Sequence, residues 1–406
     1  MSPNKWLLCL VAEDATGLRS KRRGTAVTRY VGVDVHKSYL HVGEWVPETG
    51  ERRHWQVSNR PEGWAELLQR LDGSCHVVLE ATGNAFELHD LLQAQVAEVV
   101  VANPLELRRL GAGRHTDRVD VDRLVGMLAL GVVPKVWVAP QPYRGVRRLL
   151  RFRERLVSQR RTLVNQAKAV LRRQGLALPT ECDVRRVLSS REVERLPAEE
   201  QVILTCAVQQ LAQVEAAIAA VEGAIGQQVG HERGVRRLLT IPGVGLVTAA
   251  VIWAALGDPR RFRGPKQVAR YAGLDPQVEQ SGERDRRGPI SRQGKGLLRT
   301  VLVEAAQVAA RHDTGYLRAF YLRKAKQLGQ KRAVVALARK LLIVAWRILC
   351  TGRPYRALKP ALCRRKVEGL RQRLRRPQPW AELVRELFPP VVPLRARLRE
   401  VESVPA

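Results

Sequence analysis

The stretch Tyr30-Val31-Gly32-Val33-Asp34-Val35-His36-Lys37 reads as a short buried strand with one carboxylate inside it. An apolar strand gains by burying its side chains, and an isolated buried Asp is costly unless it is paired or bound to a cation. Asp34 therefore needs a partner. A strand-end Asp bonded to nearby backbone is the plain alternative, and this stretch alone leaves both readings open.

Beyond it, residues 39–46 (YLHVGEWV) alternate, residues 47–50 (PETG) turn, and residues 52–58 (RRHWQVS) alternate again. That pattern predicts a three-strand antiparallel meander. Pro61 suits the first turn of a helix, and Trp64, Leu67, Leu68 and Leu71 recur at helical spacing. Residues 76–79 (HVVL) predict a buried strand that ends at Glu80-Ala81-Thr82-Gly83. A helix with Phe86, Leu88, Leu91 and Leu92 follows, and then a strand over residues 98–102 (EVVVA). Three opening strands followed by alternating helices and strands predict a ribonuclease-H-like α/β domain over residues 29–138. Residues 105–113 read as a mobile connection. The helix after Thr116 carries Asp117, Asp120, Leu124 and Leu128.

From about residue 139 the composition changes to two long helices, one Arg-rich and one rich in Ala, Val and Gln, over residues 139–232. Their imperfect heptads fit either an intramolecular hairpin or a dimerising coiled coil. Residues 233–355 form a mostly helical domain. It opens on residues 238–248 (LLTIPGVGLVT), where a Gly-rich turn between helices resembles a helix-hairpin-helix contact for nucleic-acid backbone. A packing turn is the alternative. Residues 275–293 (DPQVEQSGERDRRGPISRQ) lack apolar periodicity and read as a long functional loop. Residues 1–28 are an extension and residues 356–406 a basic tail.

The chain of 406 residues carries 70 Lys and Arg against 39 Asp and Glu, a formal net charge of +31 spread along its length. An excess of that size implies a polyanionic partner, nucleic acid rather than an anionic membrane. The six cysteines are scattered without a CxxC or Cys/His cluster, which excludes a zinc site and a disulfide framework and suits a reducing cytoplasm. No run approaches ~18 uninterrupted apolar residues, so no transmembrane helix is expected.

Taken together, the acids of the first domain form a constellation. Asp34 lies in a strand, Glu80 ends the neighbouring strand, and Asp117 and Asp120 share one helix face three residues apart. Converging carboxylates repel unless cations sit among them, and hard oxygen donors select Mg²⁺ or Mn²⁺. A basic protein with such a cluster reads as a nuclease or phosphoryl-transfer enzyme. Glu80 as a helix-start acid, and Asp117 and Asp120 as surface partners of Arg114, Arg118 or Arg123, are the plain alternatives. Asp122 points off the shared face.

GVDVHK with Asp34, LEATG with Glu80, and HTDRVDVDRL with Asp117 and Asp120 resemble the four-acid RuvC-like domain of DEDD transposases, and more closely the insertion sequence 110 family. TIPGVGLVTAAVIWAALGD, FRGPKQVARYAGLDP and SRQGKGLLRTVLVEAA resemble that family's C-terminal transposase domain. His115 departs from the Lys that the family often carries before its Thr-Asp pair.

The resemblance implies a recombinase that moves insertion-sequence DNA as a double-stranded circle. It implies guidance by a structured noncoding RNA, the bridge RNA, which pairs with donor and target DNA. By motif position Ser281 is implied as the nucleophile that joins DNA covalently, with Mg²⁺ on Asp34, Glu80, Asp117 and Asp120 completing the site from another protomer. The assembly implied is at least a dimer, and a tetramer at synapsis, located at the cytoplasmic nucleoid. From the residues alone Ser291 rivals Ser281. A resolvase-like endonuclease using water, and a non-catalytic nucleic-acid-binding protein, are the competing functions.

Overall fold

The computed structural model describes residues 27–110, 116–176, 193–281, 284–357 and 359–373. The chain divides into two units, Met1–Val138 and Ala139–Ala406.

In the first unit β1 (Arg29–Val35), β2 (Tyr39–Val46) and β3 (Glu51–Ser58) form an antiparallel meander. The strands β4 (Cys75–Glu80) and β5 (Glu98–Ala102) extend it in parallel, giving a sheet of order β3-β2-β1-β4-β5. Helices α1 (Pro61–Arg70) and α2 (Ala85–Leu92) make the crossovers, and α3 (Pro104–Leu110) and α4 (Asp117–Ala129) follow β5. Val31, Val33, Val35 and Leu40 pack with Leu67, Leu68 and Leu88 on one face of the sheet. Strand periodicity of two turns Gly32 and Asp34 to the other face, where Val78, Val100, Leu124 and Leu128 form a second cluster.

The helix α4 rests on that second face above a bare strip of backbone. Gly32 pairs with Gly43 across β1 and β2. A Cβ on Gly43 would lie 2.5 Å from Val121 Cγ1, and one on Gly32 would lie 3.0 Å from the Val121 carbonyl oxygen and 3.0 Å from Val125 Cγ2. Only glycine at both positions allows the helix to approach this closely. Thr116 caps α4 by accepting from the Val119 amide at 3.4 Å, and Asp117 and Asp120 occupy its first turn, where the helix dipole favours negative charge.

Residues 104–110 form α3 instead of the mobile connection expected there. Pro104 fits a first turn, the Asn103 side chain accepts from the Leu105 amide at 3.1 Å, and Arg109 pairs with Glu106 at 2.9 Å. These local polar contacts leave no apolar period to read. His115 lies outside the described residues.

The second unit begins with α5 (Gln141–Arg173) and α6 (Ala198–Val229). They pair with each other as an antiparallel hairpin. Arg153 meets Glu222 at 2.7 Å near one end and Arg173 meets Glu200 at 2.9 Å near the other. Between these, Ala167, Val170 and Leu171 pack on Leu204, Ala207 and Val208. By length and mean composition α6 passes for a membrane-crossing helix, but Glu and Gln interrupt its apolar runs, as the sequence reading has it. Its ion pairs to α5 make it one arm of the hairpin.

Beyond the hairpin come α7 (Arg233–Leu238), α8 (Leu246–Leu256), α9 (Pro265–Tyr271), β6 (Pro276–Ser281), β7 (Arg284–Ile290), α10 (Gly296–His312), α11 (Tyr316–Leu328), α12 (Gln330–Thr351) and α13 (Pro360–Arg373). Residues 249–256 of α8 are all buried, with α10, α12 and the start of α5 around them.

Residues 276–290, expected as loop, form a two-stranded antiparallel hairpin paired from Pro276↔Ile290 to Ser281↔Arg284, with a register shift between Pro276 and Val278. Both strands are polar, so backbone pairing sets the structure where side-chain periodicity is absent. Part of the expected tail is α13, whose Lys366 donates to the carbonyls of Leu239 and Ile241 at 2.8 Å each. Residues 374–406 and 1–26 lie outside the described residues.

Candidate active site

The parallel register Gly32↔Val78 and Val33↔Leu79 carries Asp34 and Glu80 to matching positions at the ends of adjacent strands. Both side chains share the face covered by α4. The first turn of α4 supplies Asp117 and Asp120. These four acids, read from the sequence as one set, come from the ends of two central strands and the first turn of the helix above them.

The tightest convergence is Asp34, His36 and Asp117. His36 Nε2 lies 3.0 Å from Asp34 Oδ2 and 3.3 Å from Asp117 Oδ2. One ligand atom from each of the three lies within 4.8 Å of the other two. The Tyr39 hydroxyl donates to Asp117 Oδ2 at 2.8 Å, and its ring stacks on His36 with centroids 4.5 Å apart. Glu80 and Asp120 stand outside this inner trio. They are linked to it by charge, since both act on Asp34 or are acted on by it. Asp120 also lies 3.7 Å from Arg123.

Burial pushes the Asp34 carboxyl above its usual range, the nearby His36 opposes the shift, and the like charges of Asp117 and Asp120 add to it. Burial also raises Glu80, with Asp34 and Asp120 adding repulsion and Arg108 opposing it. Asp117 goes the other way, because the hydrogen bond from Tyr39 favours its ionised form. The same bond raises the Tyr39 phenol. Repulsion among Asp34, Glu80 and Asp120 is the kind that a cation relieves.

The donor set fits a divalent ion. Two carboxylate oxygens and an imidazole nitrogen converge, and His36 Nε2 is buried without a hydrogen bond to either acid. Asp34, His36 and Asp117 can hold such an ion directly, with Glu80 and Asp120 beside them.

His36 and Tyr39 are the members that sequence reasoning did not assign. His36 follows Asp34 by two residues, the spacing that returns a side chain to the same face, and this was the available signal. Tyr39 acts through ring stacking and a hydrogen bond across 78 residues of chain, which no local pattern carries. Asp122 faces away, meeting Arg52 and His54 at 3.2 Å each.

In the second unit Ser281 ends β6 at the hairpin tip, paired with Arg284. Its side chain lies outside the described residues. Ser291, the rival, donates to Asp275 Oδ1 at 2.6 Å, and its amide donates to the Asp275 carbonyl at 2.8 Å. It closes the base of the hairpin.

Two family profiles match the chain. Residues 31–174 match the DEDD transposase profile of the IS110 type, and residues 235–322 match the profile described as transposase IS116/IS110/IS902 family. The chain is 26% identical to the transposase for insertion sequence element IS1111A of Coxiella burnetii over 83% of its own length and 94% of that protein's. It is 30% identical to the putative transposase y4rJ of Sinorhizobium fredii, covering 68% of this chain and 77% of that one. It is 23% identical to the pilin gene-inverting protein of Moraxella bovis, covering 80% and 97%.

Proposed function

The chain belongs to the IS116/IS110/IS902 family of transposases, and from that premise we propose that it cuts and rejoins insertion-sequence DNA through a covalent bond to Ser281. Its strand order of three antiparallel strands followed by two parallel ones supports the ribonuclease-H-like reading of the first unit. The observation that carries the proposal is the meeting of Asp34 and Asp117 about His36.

In this reading Asp34, Glu80, Asp117 and Asp120 would hold Mg²⁺, or Mn²⁺ in its place. Such ions supply charge neutralisation at the phosphate oxygens and ease loss of a proton from an attacking hydroxyl. Tyr39 fixes the carboxylate of Asp117 by its hydrogen bond, and His36 stands beside the acids as a further donor. Ser281 Oγ attacks phosphorus, the new Oγ–P bond forms as one bridging P–O bond breaks, and the leaving oxygen gains a proton. Attack on the phosphoserine by the hydroxyl of another strand reverses these bonds and releases Ser281.

The partners are double-stranded donor and target DNA and a structured guide RNA, in a homo-oligomer of at least two copies at the cytoplasmic nucleoid. Four copies fit the synapsis of two DNAs.

The test is reaction with element-end DNA followed by denaturing gels. A protein–DNA adduct is expected with the wild type and not with Ser281→Ala. Asp117→Ala is expected to bind DNA without cutting it. Cutting that survives Ser281→Ala would favour water as the nucleophile and sink the serine step.

A further inference from the structure

His36 is held more firmly than a residue in a strand connection needs to be. It stands between β1 and β2, two residues after Asp34. Its amide donates to the Tyr39 carbonyl at 3.0 Å, and its carbonyl accepts from the Asn59 side chain at 2.7 Å. Asn59 is fixed in turn. Its side chain exchanges hydrogen bonds with Asn84 at 3.0 and 2.8 Å and accepts from the Trp64 indole at 2.8 Å. The Tyr39 ring, stacked 4.5 Å from the imidazole, limits its rotation. Backbone and ring are both set before any ligand arrives, and a group set in advance loses little freedom on binding.

The ring is set with Nε2 toward the acids. An ion pair is the plain reading of its 3.0 Å separation from Asp34 Oδ2 and 3.3 Å from Asp117 Oδ2. An imidazolium serving as the cation of such a pair aims its single Nε2–H at one of the oxygens. Here Nε2 is buried and makes no hydrogen bond to either acid. The separations are instead those of ligands that share an ion. Adjacent ligands with octahedral bonds of about 2.1 Å lie about 3.0 Å apart.

The nitrogen then decides which ion fits best. Mg²⁺ takes oxygen ligands and gives up its waters reluctantly, whereas first-row transition ions accept imidazole. Mn²⁺ belongs to that row and shares the octahedral, oxygen-rich preference of Mg²⁺.

We infer that His36 Nε2 is a ligand of the ion held by Asp34 and Asp117, and that it makes the site prefer Mn²⁺ to Mg²⁺. The inference rests on the metal-site reading above and is independent of the serine step.

The experiment uses the full chain without nucleic acid. Mn²⁺ affinity is measured by spin resonance, and Mg²⁺ affinity by competition with Mn²⁺, for wild type, His36→Phe, His36→Gln and Asp34→Asn. His36→Phe keeps a ring against Tyr39 and removes both nitrogens, and His36→Gln is a second, polar replacement. In the wild type the bound Mn²⁺ should show coupling to an imidazole nitrogen and should bind at least about tenfold more tightly than Mg²⁺. Both His36 variants should lose that coupling and roughly tenfold in Mn²⁺ affinity, with Mg²⁺ affinity changed less than about threefold. Bound Mn²⁺ without nitrogen coupling in the wild type would overturn the inference and leave His36 as an ion pair. So would coupling that survives in both variants, or Mn²⁺ and Mg²⁺ affinities that fall by one factor. Loss of both ions in Asp34→Asn supports the acid site on which the inference rests. Mn²⁺ retained in Asp34→Asn with its nitrogen coupling would overturn that acid reading and keep His36 as a ligand, and a wild type that binds neither ion would overturn both.

Discussion

Asp34 holds its proton to higher pH in the folded chain than in the unfolded one, and so does Glu80. Over the window between those values the folded state binds more protons. Stability therefore falls as pH rises through that window and stays reduced above it. Without divalent cation, Asp34→Asn should raise the melting temperature at neutral pH by a few degrees, the size that about 1 kcal/mol produces. It should also remove the further rise expected of the wild type on adding Mg²⁺. Scanning calorimetry with and without Mg²⁺ checks both, and a destabilised Asp34→Asn would count against a repulsive site. Because the cation displaces protons, its affinity should weaken as pH falls through the same window. Tyr39→Phe removes the bond that keeps Asp117 ionised. It should weaken Mn²⁺ binding roughly threefold to tenfold, measured by calorimetric titration or spin resonance. The acids were legible because each lies in a short motif of recognisable type. His36 and Tyr39 were not assigned, because their roles depend on a stack and a strand-to-helix hydrogen bond that local spacing does not encode.

Elements bring those residues together only if they approach closely enough. The helix α4 carries two of the acids and seats Val121 over the Gly32–Gly43 pair. Val121 is fully buried and, being β-branched, has little rotamer freedom with which to retreat. Gly43→Ala should therefore cost about 1–3 kcal/mol by overpacking. It should weaken divalent-ion binding as well, since the shift is borne by the helix that carries Asp117. Denaturant melts and a Mn²⁺ titration test this together, and an intact ion affinity in a destabilised variant would separate the glycines from the site. The sheet and the long helices were readable from alternation and apolar spacing. The β6–β7 hairpin was not, because strands such as 284–290 (RDRRGPI) carry no alternating apolar residues. Its pairing is a backbone property, invisible to a hydrophobic pattern. The short α3 escaped for the related reason that caps and one ion pair define it.

At the scale of the molecule, the acids lie in one unit and Ser281 in the other. The proposed composite site, if made by two protomers, predicts complementation. Asp117→Ala and Ser281→Ala should each be inactive alone. Mixed, they should regain activity, roughly a quarter of the wild-type sites for random pairing in a dimer. Strand exchange on paired DNA substrates measures it, and inactivity of the mixture would place serine and acids in the same protomer. The overall charge was legible at once as a sign of nucleic acid. The bare strip under α4 has a consequence for heredity. Any glycine codon becomes an alanine codon by a single base change, and a mobile element persists by leaving copies that drift. A copy altered at Gly32 or Gly43 keeps all four acids and its serine, yet loses the spacing on which they depend. Such copies would pass for intact when their motifs are counted and would be immobile in the genome that carries them.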